Sequence, residues 1–309
     1  MTAAATGIER ARQGPPLLQL PGRRRQRRFR QYLPAYLLIA PAILATLVFQ
    51  YIPIAFSGYW SFTEFNGLIA PKWVGLANYT ALLSDPKFVK SFFNTVLFVV
   101  IGMGIGPPLG LASAFLLNNT VRFRAFFRAA YFLPVMTSLV VVATIWKILL
   151  NDAGIINQIL RFFALPAHAW LSDTTTALPA VTVTSIWQGF GFETVVFLAA
   201  LQAISRDYYD AAAVDGANWW QRLRYVTLPA LRPTIMFIYI IGIIGSFQVF
   251  DQVYVMTLGG PINSTRTIVF DLYDRFRTLQ LGEASAVAYV LLAILATLSY
   301  VQIRVFERR

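Results

Sequence analysis

The chain has 309 residues, of which 57% are hydrophobic and 13% are charged, and its formal net charge is +12. A composition this apolar excludes an ordinary soluble domain, and the basic residues flank apolar runs instead of covering one face, which argues against nucleic-acid binding. There is no cysteine and only one histidine, His168, so the sequence predicts neither disulfides nor a metal site.

The N-terminal segment, residues 1–31, contains eight arginines and three prolines and has no apolar periodicity. We predict that it is a disordered cytoplasmic tail whose arginines contact anionic membrane lipids. The apolar run that follows is too long for the hydrophobic core of a signal peptide. The sequence therefore predicts an uncleaved first membrane span.

Six segments are long and apolar enough to cross a hydrocarbon core of about 30 Å, which takes roughly 20 residues of helix. The predicted spans are 33–56, 92–117, 130–150, 178–203, 234–258 and 285–305, followed by a tail at 306–309. Lysines and arginines are concentrated at both termini and in the loops after the second and fourth spans, which predicts that these regions are cytoplasmic. The expected fold class is an all-α polytopic membrane protein.

Span two carries three glycines at intervals of four residues, Gly102, Gly106 and Gly110. Small residues at this spacing let a neighbouring helix approach closely. We interpret this ridge mainly as a packing surface.

The segment 205–233, between the fourth and fifth spans, is polar although it lies between two strongly apolar runs. Its pattern predicts two short helices outside the bilayer, at about 207–215 and 218–228. Gly216 separates them, because glycine readily adopts the left-handed turn that ends a helix. The prolines that follow are predicted to stop the second helix.

Eight residues of this segment follow a distinctive spacing: Asp210, Ala211, Ala212, Asp215, Gly216, Ala217, Leu228 and Pro229. They resemble the EAA loop of ABC-importer permeases, whose pattern is EAAxxDGA, a spacer, and IxLP. Asp210 stands where that pattern has glutamate, and Val226 stands where it has isoleucine. The resemblance implies that a cytosolic ATPase docks on these eight residues.

Four further stretches are similar to the carbohydrate-uptake branch of the same permeases. They are YLLIAPAILATLVFQYIPIAFSGYWSFTEFN, WVGLANYTALLSDPKFVKSFFNTVLF, TLGGPINSTRTIVFDLYDRF and GEASAVAYVLL. The resemblance implies a type I ABC importer permease fold in a bacterial or archaeal plasma membrane. It also implies a second homologous permease, two ATPase subunits that bind ATP and Mg, and an extracytoplasmic solute-binding protein.

Span four places four residues on one helical face: Ser185, Gln188, Gly189 and Phe192. Hydrogen-bonding groups beside an aromatic ring suit a sugar, which has hydroxyl groups and an apolar C–H face. Glu193 lies next to this face. Because an acidic residue inside a membrane span is costly, it should face protein or water, which leaves both packing or gating and lining the substrate path open.

Span five has a face of small residues that includes Gly242, Ser246 and Val249, with Gln248 and Asp251 as polar neighbours. Asp251 is subject to the same constraint as the acidic residue of span four. The family resemblance implies that six positions contact the sugar: Ser185, Gly189, Phe192, Gly242, Ser246 and Val249. The expected substrate path thus consists of spans four and five.

No catalytic group is predicted, because the chain lacks the GxxxxGK[ST] loop of ATP-binding proteins and any clustered acid, base or metal ligands. The expected function is the import of a mono- or oligosaccharide or a polyol. A glycerol-phosphate permease is one alternative. A secondary carrier that uses Glu193 or Asp251 as an ion site is another, although no second broken-helix segment matches the first half of the chain.

Overall fold

The computed structural model describes residues 22–118 and 124–307. The α-helices in this part of the chain are α1 (Gly22–Thr46), α2 (Ile52–Trp60), α3 (Ala77–Ser84), α4 (Pro86–Asn118), α5 (Arg124–Met136), α6 (Leu139–Leu149), α7 (Ile155–Phe162), α8 (Ala177–Ala203), α9 (Arg206–Val214), α10 (Trp219–Arg222), α11 (Leu228–Phe247), α12 (Asp251–Met256), α13 (Ile268–Arg277) and α14 (Leu281–Glu307). Two π-helical turns, π1 (Leu47–Tyr51) and π2 (Leu223–Thr227), and a small antiparallel ribbon of β1 (Thr63–Glu64) and β2 (Lys72–Trp73) complete the described structure.

Five helical stretches of the described chain have the length and hydropathy of a membrane span, and the bent pair α5–α6 makes a sixth. The five are Pro34–Trp60, Pro86–Asn118, Ala177–Ala203, Trp219–Phe247 and Leu281–Val305. The all-α prediction is confirmed, and each predicted span corresponds to one of these six stretches.

The described part of the chain divides into two compact units, one that ends at Phe56 and one that begins at Ser57. Within the first, α1 begins at Gly22, so residues 22–31 are helical and the prediction that they are disordered is wrong. Arginine and glutamine are good helix formers, and this run continues directly into an apolar helix, which removes the cost of nucleation. Residues 1–21 of the predicted tail, and residues 308–309, lie outside the described part of the chain.

The second unit is built around a close pairing of α4 with α8. A Cβ atom added at Gly110 would lie 2.7 Å from Cβ of Glu193, and one added at Gly106 would lie 3.2 Å from the Glu193 carboxylate. On the other side of α8, Gly191 packs directly on the backbone carbonyl of Tyr131 in α5. The predicted packing role is confirmed for Gly106 and Gly110, whereas Gly102 faces open space.

The third span is not the straight helix 130–150 that the sequence predicts. It is bent by 105° between Ala129–Met136 and Leu139–Leu149. Ser138 has an extended backbone at the bend, and Pro134 precedes it. A proline lacks the amide hydrogen that would bond to the preceding turn, so the helix breaks readily here. The carbonyl of Thr137, which the bend frees, accepts a hydrogen bond from the Gln188 side chain at 3.2 Å.

The fifth span also differs from its predicted bounds, 234–258. Helix α11 ends at Phe247, and a non-helical segment separates it from α12. Backbone groups freed at such a break need partners inside the protein. The Thr267 hydroxyl donates to the carbonyl of Val249 at 3.0 Å and satisfies one of them.

The second polar helix does not stop at Pro229 and Pro233 as predicted. The stretch Trp219–Phe247 is continuous, and it passes through π2 immediately before the first of these prolines. The amide of Leu228 bonds to the carbonyl of Leu223, five residues earlier, so the helix is wider at this point. The wider turn accommodates the ring of Pro229, which clashes with a regular α-helical turn.

A buried ionic cluster connects the loop before α4 with α13 and α14. The Arg275 guanidinium pairs with the carboxylates of Asp85, Asp271 and Glu283. Asp271 is fully buried and also pairs with Arg266 at 2.8 Å, so this carboxylate has a cation on each side. Buried charges of this kind stabilise a structure only while every partner is present.

The pKa values of groups in this cluster are consistent with stable ion pairs. Burial alone would raise the pKa of Asp85, but hydrogen bonds from the Lys87 amide and from Arg275 outweigh it, so the pKa lies below its ordinary value of 3.8. Burial alone would lower the pKa of Arg275, but its hydrogen bonds to the carboxylates raise it above its ordinary value. Asp85 and Arg275 are therefore both charged at neutral pH.

Replacing Arg275 by methionine should destabilise the protein by about 3–5 kcal/mol, because it leaves buried carboxylates without their cation. We expect the midpoint of thermal unfolding in detergent to fall by about 5–10 °C. Arg277→Met is the matched control, since Arg277 is 66% exposed and makes a single ion pair at 3.4 Å. Equal midpoints for the two variants would contradict a stabilising role for the buried cluster.

Candidate functional site

A cavity of about 320 Å³ lies between α4, α6, α8, α11 and the segment that links α11 to α12. Nine of the ten residues predicted for the substrate path line it: Ser185, Gly189, Phe192, Glu193, Gly242, Ser246, Gln248, Val249 and Asp251. They come together because one face of α8 meets the small-residue face of α11, and the break after α11 turns the following residues towards the same space.

The tenth predicted residue, Gln188, is buried behind the cavity wall. Its side chain donates to the carbonyl of Thr137 and accepts a hydrogen bond of 3.4 Å from Gln252, which does line the cavity. Gln188 thus connects the bend of the third span to Gln252 in the wall of the cavity. Gln252 is a polar neighbour of the small-residue face in the sequence of span five, but it is not among the ten residues predicted for the substrate path.

Span two also contributes to the cavity, which was not predicted from the sequence. Gly102, Met103 and Gly106 of α4 line it, and a Cβ atom added at Gly242 would lie 2.6 Å from the sulfur of Met103. The four-residue spacing of the glycines indicated close packing, and the same lack of side chains leaves the open space. Gly189 of α8 differs from Gly242, because no atom lies within 4 Å of a Cβ added at Gly189.

The lining combines aromatic rings with polar groups that have no partner. Four phenylalanines line the cavity: Phe98, Phe190, Phe192 and Phe250. Within the described chain, the buried Ser185 Oγ and Glu193 Oε2 atoms accept or donate no hydrogen bond. A buried polar atom without a partner costs free energy, so both are available to a ligand or to water.

The ionisable side chains that line the cavity in the described part of the chain are two carboxyl groups. Glu193, which is 8% exposed, and Asp251 line it, and no lysine or arginine of residues 22–118 and 124–307 does. Lys147, the basic residue near the end of the third span, instead donates to the carbonyl of Val255 and lines a different cavity. The cavity is therefore suited to a neutral ligand or a cation rather than an anion.

The predicted ATPase-coupling residues lie elsewhere in the structure, on and after α9. The helix begins at Ser205, whose hydroxyl accepts a hydrogen bond from the amide of Asp207. It ends with paired hydrogen bonds from Gly216 to Ala213 and from Ala217 to Ala212, and Gly216 has a positive φ of 76°. This is a Schellman termination, in which glycine avoids the steric cost of the left-handed conformation.

The next helix starts only two residues after this glycine. Asn218 and Gln221 form a reciprocal capping box at the beginning of α10. Three of the predicted residues, Asp210, Ala211 and Ala212, are in α9, three are in the turn, and Leu228 and Pro229 begin α11. The polar segment therefore consists of a short helix, a turn and a second short helix, with a defined cap at each boundary.

Asp210 is exposed on α9 and lines a hollow between this helix and the ends of α4 and α8. Other residues of the hollow are Asn118, Gln202 and Tyr209. Among the described residues none forms an ion pair with Asp210. Its carboxylate is thus free to pair with a basic group of another molecule.

Comparison with known proteins places this architecture in a family. Residues 106–309 match the family model described as "Binding-protein-dependent transport system inner membrane component". The lactose transport system permease protein LacF of Rhizobium radiobacter is 35% identical over 86% of this chain and 92% of its own length. A probable ABC transporter permease of Bacillus subtilis, YesP, is 34% identical over 87% of this chain and 89% of its own length.

A solved structure has the same fold. It is a subunit of a bacterial ABC transporter involved in the import of the acidic polysaccharide alginate, with a TM-score of 0.83 and 22% identity, and the match covers 92% of this chain and 99% of that one. The family model and the sequence relatives cover most of the chain. This chain therefore belongs to the inner membrane components of binding-protein-dependent transport systems, the permease subunits of ABC transporters.

Proposed function

We propose that this permease carries a neutral mono- or oligosaccharide or a polyol into the cytoplasm, and that ATP hydrolysis by partner subunits drives the transport. The cavity is the observation that carries this proposal. It presents serine, glutamine and carboxylate groups for sugar hydroxyls and phenylalanine rings for the apolar sugar face. The likeness to a lactose permease supports the same substrate class.

The charge of the cavity disfavours the alternative of glycerol phosphate. A phosphate group is normally bound by arginine, lysine or clustered backbone amides. Here the acidic lining residues are Glu193 and Asp251, and within the described chain no lysine or arginine lines the cavity to bind a phosphate. The same reasoning disfavours an acidic saccharide, although the alginate transporter has the same fold.

The proposed assembly contains a second homologous permease, two ATPase subunits that bind ATP and Mg, and an extracytoplasmic solute-binding protein. The family description supports the dependence on a binding protein. In the proposed orientation both termini and α9 face the cytoplasm, where α9 docks on the ATPase. The ionic cluster around Arg275 then faces the binding protein. Movement of α9 on ATP binding would open and close the cavity to the two sides of the membrane.

The first test is the ATPase activity of the complete complex in nanodiscs, with its binding protein and a panel of neutral sugars, polyols, uronic acids and glycerol phosphate. We expect a loaded binding protein to stimulate hydrolysis with a neutral ligand and not with an anionic one. Stimulation by glycerol phosphate alone would contradict the neutral substrate. Gradient-driven sugar uptake into liposomes that hold only this chain would instead support a secondary carrier.

Filling the cavity should block transport without disturbing the fold. Gly189→Leu places a side chain in open cavity space. Crowding of about 1–3 kcal/mol against the substrate corresponds to import that is about five- to a hundredfold slower. The matched control is Gly104→Leu, because Gly104 also faces open space but does not line the cavity. Equal import rates in the two variants would show that the substrate does not pass Gly189.

Asp210 should couple the permease to its ATPase through a charged hydrogen bond. We expect Asp210→Ala to reduce sugar import per ATP hydrolysed by about tenfold or more, because a hydrogen bond to a charged group contributes about 1.5–3 kcal/mol. Asp210→Glu keeps the charge and should retain coupling. Asp207→Ala, on the same helix but outside the predicted coupling residues, is the control. An unchanged transport-to-hydrolysis ratio in Asp210→Ala would remove Asp210 from this role.

A further inference from the structure

Tyr209 is next to Asp210 on α9 but is not one of the predicted coupling residues. Its side chain makes a hydrogen bond to another part of the polar segment. Its hydroxyl oxygen lies 3.0 Å from Oγ1 of Thr227, the last residue of π2. The Thr227 hydroxyl also lies 3.3 Å from the carbonyl oxygen of Arg222, to which it donates. Because a threonine hydroxyl carries one hydrogen, it accepts the hydrogen of Tyr209. The result is a chain of hydrogen bonds from α9 to the backbone of π2.

This hydrogen bond is shielded from water. Thr227 is only 3% exposed, and Tyr209 is half-buried. Hydrogen bonds at such sites are stronger than those on a wet surface, and losing one partner is correspondingly costly. The bond therefore keeps α9 and the base of α11 in a defined relation.

Thr227, the partner of Tyr209, lies at the end of π2, where the helix is irregular. In π2 the amide of Leu228 reaches back five residues to Leu223, and π turns inside α-helices frequently occur at functional sites. Just beyond it, Leu231 is fully buried against the cytoplasmic halves of α4 and α8 in one apolar cluster. A displacement of α9 that reaches Thr227 thus reaches the packed base of α11.

Helix α11 carries such a displacement to the cavity. Thr227 and Gly242 are separated by about 22 Å along a helix with a rise of about 1.5 Å per residue. At that distance α11 lines the cavity with Gly242 and Ser246. On its other side α9 connects to α8 through Ile204 and Ser205. Two of the helices that line the cavity, α8 and α11, are therefore connected to α9, and the Tyr209 hydroxyl adds a side-chain connection to the base of α11.

We propose that Tyr209 is a positioning residue that transmits movement of α9 to α11 through the Thr227 hydroxyl. This inference rests on the proposed function, in which an ATPase moves α9. Tyr209 differs in role from Asp210: the carboxylate engages the ATPase, and the phenol hydroxyl connects the helix to the transport path inside this chain.

The test is Tyr209→Phe in the complete complex, which removes the hydroxyl and keeps the ring. We expect complex assembly and basal ATPase activity to stay as in the wild type, and sugar imported per ATP hydrolysed to fall by about two- to tenfold, the range of one hydrogen bond. Tyr208→Phe is the control on the same helix, because Tyr208 is 65% exposed. An unchanged ratio in Tyr209→Phe, or an equal fall in Tyr208→Phe, would overturn the proposal.

Variants of the partner residue separate this role from general packing. Thr227→Val should lower the ratio as Tyr209→Phe does, Thr227→Ser should retain it, and the double variant should be no worse than the Thr227→Val variant. Fully additive losses in the double variant would contradict a shared hydrogen bond. The proposed function fails if the wild-type complex shows no import stimulated by the binding protein. If the wild type imports sugar and Tyr209→Phe stays fully coupled, only this inference fails.

Discussion

The structure depends on the requirement that backbone groups inside a hydrocarbon layer find partners within the protein. A straight helix satisfies its own backbone groups, whereas the breaks in the third and fifth spans leave carbonyl groups without a helical partner. The bend of the third span is completed by Gln188, which donates to the carbonyl of Thr137, and the end of α11 is completed by Thr267, which donates to the carbonyl of Val249. These two side chains make the broken helices possible, and the broken helices line the cavity together with α4 and α8.

The cavity also depends on the packing of α4 against α8, which is close at Gly106 and Gly110 and leaves open space at Gly102. Gly106 and Gly110 let the backbone of α8 and the stem of Glu193 pack against α4. Gly102, about one turn beyond Gly106, meets no atom and leaves open space instead. Glycine therefore has two effects on one helix. It brings Glu193 into the protein interior, where lipid cannot reach it, and it leaves a hollow next to that carboxylate.

The polar segment, residues 205–233, is stabilised in a different way, because each of its short helices needs a cap. Ser205, Gly216 and Asn218 supply three caps within a short length of chain, so α9 has a defined beginning and end without a core of its own. The bond between Tyr209 and Thr227 adds a side-chain connection to these backbone constraints. A small helix built in this way can move as a unit, as the proposed docking of an ATPase on α9 requires.

The sequence by itself determined the fold class, the six candidate spans and the residues that share one face within α8 and within α11. Apolar length and helical periodicity are local properties, so the spacing of Ser185, Gly189 and Phe192 was enough to assign them to one helical face. Only the tertiary structure decided where the helices break, since the partners that permit a break, such as Thr267 for Val249, are distant in sequence. It also decided that Gln188 supports the wall instead of lining it, that α4 completes the cavity, and that Tyr209 meets Thr227, because contacts between helices depend on how the helices pack.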